Sequence, residues 1–159
     1  MNTTSTPQSN ATSLASKKNN GDDFDAAKLI ENWQQVNEQV AQASVQAQRQ
    51  KDEIILLAVS KTKPVEMIAT LARQGQHDFG ENYLQEAIEK IQALRQQPDY
   101  EHIVWHYIGS IQRNKTRDIA EHFDWVQTLE REIIAKRLHE QRPAELPALN
   151  VLIQVNIDK

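Results

Sequence analysis

Cysteine is absent from this sequence of 159 residues, glycine and proline are scarce at four and five residues, and no apolar run approaches the length of a membrane span. The lack of cysteine excludes disulfides, thiolate metal sites and a cysteine nucleophile, and it agrees with a reducing compartment. The amino terminus lacks the apolar core of a signal peptide. We therefore expect a cytoplasmic protein with no membrane partner.

A strong charge of either sign is also lacking, since 18 basic and 22 acidic residues give a formal net charge of -4. The basic residues are scattered among acidic ones, which gives no general affinity for nucleic acid. The five histidines form no HExxH motif, and no glycine-rich nucleotide-binding motif occurs, so neither a metal site nor a nucleotide cradle is predicted. Pairs such as Glu86 with Lys90 are interpreted as solvated helix faces.

Helical and strand-like patterns alternate along the chain, which predicts an α/β fold with a parallel sheet. Residues 1–22 are polar, and we expect a disordered tail there and one domain over residues 23–159. A first helix, capped by Asp22 or Asp23, is expected to pack on this domain, a coiled-coil partner being the alternative. Predicted strands lie at about 54–59, 77–80, 103–108, 123–126 and 149–157, and predicted helices at 64–74, 83–97, 114–122 and 129–138, the last ending before Pro143. Five strands fit either an open, doubly wound sheet or the first part of an eight-stranded barrel.

The most informative segment is the apolar run 54–59, which ends abruptly in a Ser-Lys-Thr-Lys-Pro sequence at residues 60–64. A run that is apolar on both alternating faces is typical of a strand buried on both sides of a parallel sheet. Lys61 then lies at the carboxyl end of a core strand, where α/β barrels build their active sites. Partial burial and the neighbouring Lys63 would both favour the nucleophilic free amine, which is the chemistry of a Schiff-base lysine. The alternative is a lysine that packs its stem and keeps its charge in solvent.

Four segments resemble those of the pyridoxal phosphate homeostasis proteins, whose barrel is related to the amino-terminal domain of alanine racemase. They are LAVSKTKP at 57–64, FGENYLQE at 79–86, WHYIGSIQRNK at 105–115 and VLIQVN at 151–156, in the family's order. The resemblance implies a (β/α)8 TIM-type barrel of fold type III, of which this chain would hold about the first five β/α units. It also implies that the chain is truncated at its carboxyl terminus.

The resemblance further implies that Lys61 forms a Schiff base with pyridoxal phosphate and that Asn82 and His106 lie beside the cofactor. The amide of Asn82 can hydrogen-bond a ring substituent. His106 can orient the ring, or it can be a core histidine whose hydrogen bonds are all made within the protein. Family members have a His-Ser pair after the fourth strand, where this chain has Gln127 and Thr128.

The function implied by the resemblance is pyridoxal phosphate homeostasis, in which the cofactor is held without substrate turnover. The alternative is a truncated paralogue or fragment with weak or no cofactor binding. Amino-acid racemisation is disfavoured, because racemases of this fold take a second acid/base residue from a further domain. Members continue to a phosphate site that this chain lacks, so we expect weak retention of the cofactor. Members are monomers, whereas here residues 151–157 would form an exposed apolar edge prone to self-association.

Overall fold

Five parallel strands form a single sheet in this computed structural model, which describes residues 24–157. The predicted tail over residues 1–22 and the predicted caps Asp22 and Asp23 lie outside the described residues. The strands are β1 Ala58–Val59, β2 Asp78–Glu81, β3 Val104–Tyr107, β4 Trp125–Leu129 and β5 Asn150–Ile153. The helices are α1 Ala26–Gln46, α2 Val65–Arg73, α3 Leu84–Arg95, α4 Thr116–His122 and α5 Glu132–Gln141. The predicted α/β class with a parallel sheet is thereby confirmed.

The strands are hydrogen-bonded in the order of the sequence, β1-β2-β3-β4-β5, without the reversal of order found in doubly wound sheets. Along one level of the sheet, Val59 pairs with Gly80, Gly80 with His106, His106 with Trp125 and Trp125 with Asn150. All strands are parallel, so their carboxyl ends lie at one edge. Side chains on one level point to the same face of the sheet.

The core lies between one face of the sheet and the helices α2 to α5. From the sheet it takes Phe79, Trp105 and Val126, all of which are almost completely buried. The helices bring apolar side chains to it at helical spacing: Ile68, Leu71, Ala87, Ile91, Leu94, Ile119, Ile134 and Leu138. This single apolar layer holds the strand ends in register.

Helix α1 packs on its own domain, as expected, and begins after Asp25, whose side chain accepts a hydrogen bond from the amide of Lys28. Its Trp33 indole donates to Gln76 Oε1 at 2.8 Å. The amide of Gln76 in turn donates to the carbonyls of Leu56 and Asp78, at 2.7 and 2.8 Å. A buried side chain thus joins α1 to the segment before β1 and to the start of β2.

The predicted burial of the first strand on both faces is wrong in the described residues. Strand β1 has only two residues, and Val59 is 50% exposed, because β1 is an edge strand and its face away from the helices is uncovered. Strand β5 forms the other edge, and all four of its residues are exposed. The expected apolar edge at residues 151–157 is therefore present, with Ile153 74% exposed.

The fourth strand and the fifth helix also differ from the prediction. Strand β4 runs from Trp125 to Leu129, so Leu129 ends a strand and does not begin a helix. Gln127 and Thr128 consequently lie inside β4 and not in a loop after it. Over residues 24–157, no helix combines the length and the apolar character needed to cross a bilayer.

Candidate functional site

The carboxyl edge of the sheet carries two of the three predicted site residues. Lys61 follows β1 by two positions and Asn82 directly follows β2. The last residue pair of β1 and β2 is Val59 with Gly80, closed by the amide of Ser60, which donates to the carbonyl of Gly80 at 2.9 Å. Lys61 then begins a turn, and Asn82 follows the end of β2. His106 lies inside β3, where it pairs with Gly80, two residues before Asn82. Lys61 and Asn82 thus both lie just past the carboxyl ends of neighbouring parallel strands.

Lys61 itself is exposed, which corrects the expectation that it is partly desolvated at this position. The reason is the place of β1 at the edge of the sheet, where β2 is its one neighbour among the described strands. The chain also turns sharply after Lys61, since Thr62 has a φ of 62°, in the left-handed region. The apolar run before Lys61 indicated a strand correctly, but it did not indicate whether a second layer covers it.

The turn around Lys61 is tied to helix α3 by hydrogen bonds on both sides of the lysine. The amide of Thr62 donates to Glu86 Oε1 at 2.7 Å, and the amide of Lys63 donates back to the carbonyl of Ser60 at 3.0 Å. The carbonyl of Ser60 also accepts from Lys90 Nζ at 2.9 Å. The backbone at Lys61 is therefore held by side chains from a neighbouring β/α unit.

Lys90 and Glu81 form a buried ion pair directly beneath this turn. Lys90 is 7% exposed and Glu81 is fully buried, and Lys90 Nζ lies 2.8 Å from Glu81 Oε1 and 2.5 Å from Glu86 Oε1. The hydroxyl of Ser60 donates to the same oxygen of Glu81 at 2.7 Å. Charge-assisted bonds of this kind are stronger than neutral ones, and a buried charge needs them. The interpretation of Glu86 with Lys90 as a solvated helix face is therefore wrong.

Sequence reasoning missed this cluster because the ion pair joins a strand to a helix. Glu81 and Lys90 are nine residues apart, a separation that belongs to no single element. A signal was available in α3, since Lys90 lies three residues after Ala87 and four before Leu94, on the buried face of the helix. A lysine on an apolar helix face requires a buried anion as its partner.

Asn82 lies against the loop that follows β3. A Cβ atom on Gly109 would stand 2.8 Å from the carbonyl oxygen of Asn82, so only glycine allows this approach. The hydroxyl of Thr128 donates to the carbonyl of Gly109 at 2.5 Å and holds the loop from β4. The side-chain Oδ1 of Asn82 is buried, and within the described residues it has no hydrogen-bond partner.

Burial also changes the chemistry of Tyr107, at the end of β3. Loss of solvation raises the pKa of its phenol above the ordinary value, which keeps the hydroxyl protonated as a donor. The hydroxyl donates to the carbonyl of Ser110 at 3.3 Å. Tyr107 therefore helps to fix the loop that contacts Asn82.

His106 is buried in β3, and both of its ring nitrogens have partners. Nε2 lies 2.8 Å from Asp78 Oδ1, and the amide Nε2 of Gln127 lies 3.0 Å from Nδ1. The ring is stacked on Trp125, with 5.5 Å between centroids and 7° between planes. This arrangement favours the alternative of a core histidine whose hydrogen bonds are satisfied. Contact of His106 with a cofactor stays a prediction, and Gln127 is the neighbour that sequence reasoning did not assign to it.

Metal binding has no support in the part of the chain that the structure describes. Residues 24–157 contain no group of three or more histidine, aspartate or glutamate side chains placed to hold a metal ion.

Comparison with curated proteins finds relatives that are named pyridoxal phosphate homeostasis proteins. No family model matches the chain. It is 50% identical over 129 residues to the pyridoxal phosphate homeostasis protein of Escherichia coli K12, covering 81% of this chain and 55% of that protein. It is 49% identical over 128 residues to the protein of the same name from Vibrio cholerae, covering 80% and 54%. The chain thus spans about half the length of the curated relatives it matches, and the resemblance seen in the four segments is confirmed.

Solved structures agree with this result. The chain is similar to PipY of Synechococcus elongatus with PLP bound, with 38% identity, a TM-score of 0.51 and coverage of 64% of this chain and 47% of PipY. The same protein without PLP gives 39% identity and a TM-score of 0.53, over 62% and 44% of the two chains. A protein from Bifidobacterium adolescentis gives 25% identity and a TM-score of 0.65, over 76% and 51%.

Proposed function

Starting from its similarity to pyridoxal phosphate homeostasis proteins, we propose that this chain binds pyridoxal phosphate through Lys61 and serves the homeostasis of that cofactor without turning over a substrate. The observation that carries the proposal is the position of Lys61 and Asn82, just past the carboxyl ends of the neighbouring parallel strands β1 and β2. The relatives are named for homeostasis of a cofactor, which supports a binding role and not a catalytic one.

The residues at this edge fit the aldehyde end of the cofactor. The amine of Lys61 is exposed, so an aldehyde can reach it. Lys61 would hold the cofactor through its amine, and the bound cofactor would supply the aldehyde for that linkage, with loss of one water. Asn82 contributes a buried Oδ1 without a partner in the described residues, and a ring hydroxyl can supply the donor that this oxygen lacks. Gly109, which has no side chain, lets its loop approach the backbone of Asn82 closely.

We further propose that the five strands are the first part of a (β/α)8 barrel. Two features support this: the strands follow one another in sequence order, and α2 to α5 pack on one face of the sheet. The opposite face of the sheet holds the exposed Val59 and would be the inner face of the barrel.

A second copy of this chain is the proposed partner of the exposed edge. Val151, Leu152 and Ile153 are all more than two fifths exposed on β5, an edge strand whose one neighbour among the described strands is β4. Such an edge presents free backbone donors and acceptors together with apolar side chains, which favours pairing with another strand. The proposal is therefore a weak self-association through β5.

The cofactor proposal is tested by adding pyridoxal phosphate to the purified chain, recording the visible spectrum, reducing with borohydride and mapping the modified peptides. Lys61→Ala is compared with Lys136→Ala, a matched change on the exposed side of α5. We expect a reducible adduct at Lys61 that disappears in Lys61→Ala and remains in Lys136→Ala. Adducts spread equally over surface lysines in all three proteins would contradict the proposal and would favour a fragment that does not bind the cofactor.

A further inference from the structure

We propose that Glu86 is a positioning residue for Lys61, because its carboxylate fixes the left-handed turn at Thr62 that directs the lysine. This inference rests on the proposed function of Lys61. It assigns a role to a side chain outside the edge itself, on helix α3.

Thr62 has an unfavourable backbone conformation. Its φ of 62° is unfavourable for a β-branched residue, in which Cβ crowds the backbone. A residue keeps such a conformation only when surrounding contacts determine it. The turn therefore depends on what its backbone groups are bonded to.

The backbone groups on both sides of Lys61 are bonded to charged side chains of α3. The amide of Thr62 donates to Glu86 Oε1 at 2.7 Å, so the strained residue is held by a carboxylate. Lys90 Nζ donates a hydrogen bond to the same oxygen of Glu86, and it also donates to the carbonyl of Ser60 at 2.9 Å. The residues immediately before and after Lys61 are thus bonded to one pair of charges on α3.

Glu86 can be changed with less effect on folding than Glu81 or Lys90. Glu81 and Lys90 are buried, so their loss would disturb the core as well as the turn. The side chain of Glu86 is 34% exposed, and Lys90 keeps Glu81 as a partner when Glu86 is neutral. A change at Glu86 should therefore loosen the turn at Thr62 while the sheet and helices stay folded. Once the turn relaxes towards negative φ, the backbone beside Lys61 changes direction and the lysine is no longer held in its present orientation.

The experiment compares Glu86→Gln with Glu89→Gln, a matched change at an exposed residue of the same helix. The first measurement is hydrogen exchange of the Thr62 amide by NMR, without cofactor. The second is the rate of adduct formation at Lys61 with pyridoxal phosphate, trapped by borohydride and expressed relative to Lys136. A bond to a charged acceptor exceeds one to a neutral acceptor by enough to change an equilibrium by about tenfold. We expect Glu86→Gln to speed exchange about tenfold and to slow Lys61 modification by a similar factor, with Glu89→Gln unchanged.

Each outcome decides one of the two proposals. If the unmodified sequence forms an adduct at Lys61 and Glu86→Gln forms it equally fast, positioning by Glu86 is overturned while the proposed function stands. If no adduct forms at Lys61 in any variant, the proposed function fails. Exchange at Thr62 then tests the turn by itself: faster exchange in Glu86→Gln means that Glu86 holds the turn, and unchanged exchange means that it does not. A lower unfolding temperature in Glu86→Gln, with both measurements unchanged, would assign Glu86 a structural role only and would also overturn the inference.

Discussion

Replacing Lys90 with methionine tests the buried ion pair beneath the Lys61 turn. Methionine keeps an unbranched stem of similar volume and removes only the ammonium group. Three acceptors then each lose one of their two donors: Glu81 Oε1, Glu86 Oε1 and the carbonyl of Ser60. Glu81 is the serious case, because it is fully buried and would retain a single hydrogen bond from the Ser60 hydroxyl.

The expected loss of stability follows from that uncompensated charge. Removing one partner of a buried pair typically costs about 3–5 kcal/mol, because the remaining ion has lost its solvent and its counter-charge. Such a loss is a large part of the total stability of a small domain, about 5–15 kcal/mol. Neutralising the partner as well, in Lys90→Met with Glu81→Gln, should recover at least about 2 kcal/mol relative to Lys90→Met alone.

Urea unfolding followed by tryptophan fluorescence measures these differences, with Lys136→Met as the matched control. Lys136 faces Glu140 at 3.8 Å with both side chains more than half exposed, so its replacement should produce no measurable change. A Lys90→Met variant that does not fold in water is the extreme form of the expected result, provided that the double variant folds. A loss below about 1 kcal/mol, or no recovery in the double variant, would refute the reasoning about a buried charge.

The remaining predictions concern the loop at Asn82 and the exposed edge. Gly109→Ala would place a Cβ 2.8 Å from the carbonyl oxygen of Asn82 and should cost about 1–3 kcal/mol in urea unfolding. Gly80→Ala is the control, since its Cβ would meet only flexible side-chain ends at 3.3 Å and a loss equal to that of Gly109→Ala would contradict the argument. Ile153→Lys should shift the proposed weak self-association towards the monomer in sedimentation velocity, because a charge on β5 opposes strand pairing. Identical sedimentation of Ile153→Lys and the unmodified chain over the same concentrations would remove β5 as the contact.

Hydrophobic periodicity predicted the order of strands and helices because each element packs one apolar face on the same core. Helix α2 illustrates this: it was predicted at 64–74 and runs from Val65 to Arg73, shortly before Gly75, whose φ of 94° suits a left-handed stop. Strand β4 shows the limit of the method. Gln127 and Thr128 are polar and looked like a loop, but their polar atoms bond His106 and Gly109 inside the sheet edge. Such partners are 19 and 21 residues away and leave no periodic trace in the sequence.

The position of Lys61 was predictable, and its environment was not, for a related reason. An apolar run followed by a lysine indicates the end of a strand, and the strand period places Lys61 on the face of Val59. Whether that face is covered depends on other strands, and β1 has β2 as its one neighbour in the described sheet. The residue that secures the turn, Glu86, lies 24 residues from Thr62 along the chain, so only the fold brings the two together.

Alternation along the strands gives consecutive residues at this edge two separate tasks. Ser60 and Glu81 point towards the helices, where they share the ammonium of Lys90. Lys61, the residue after Ser60, is exposed. A charge network on the helical side can therefore hold the backbone beside Lys61 while the lysine side chain stays accessible. For the proposed function, an aldehyde can then reach an amine whose backbone is held in place.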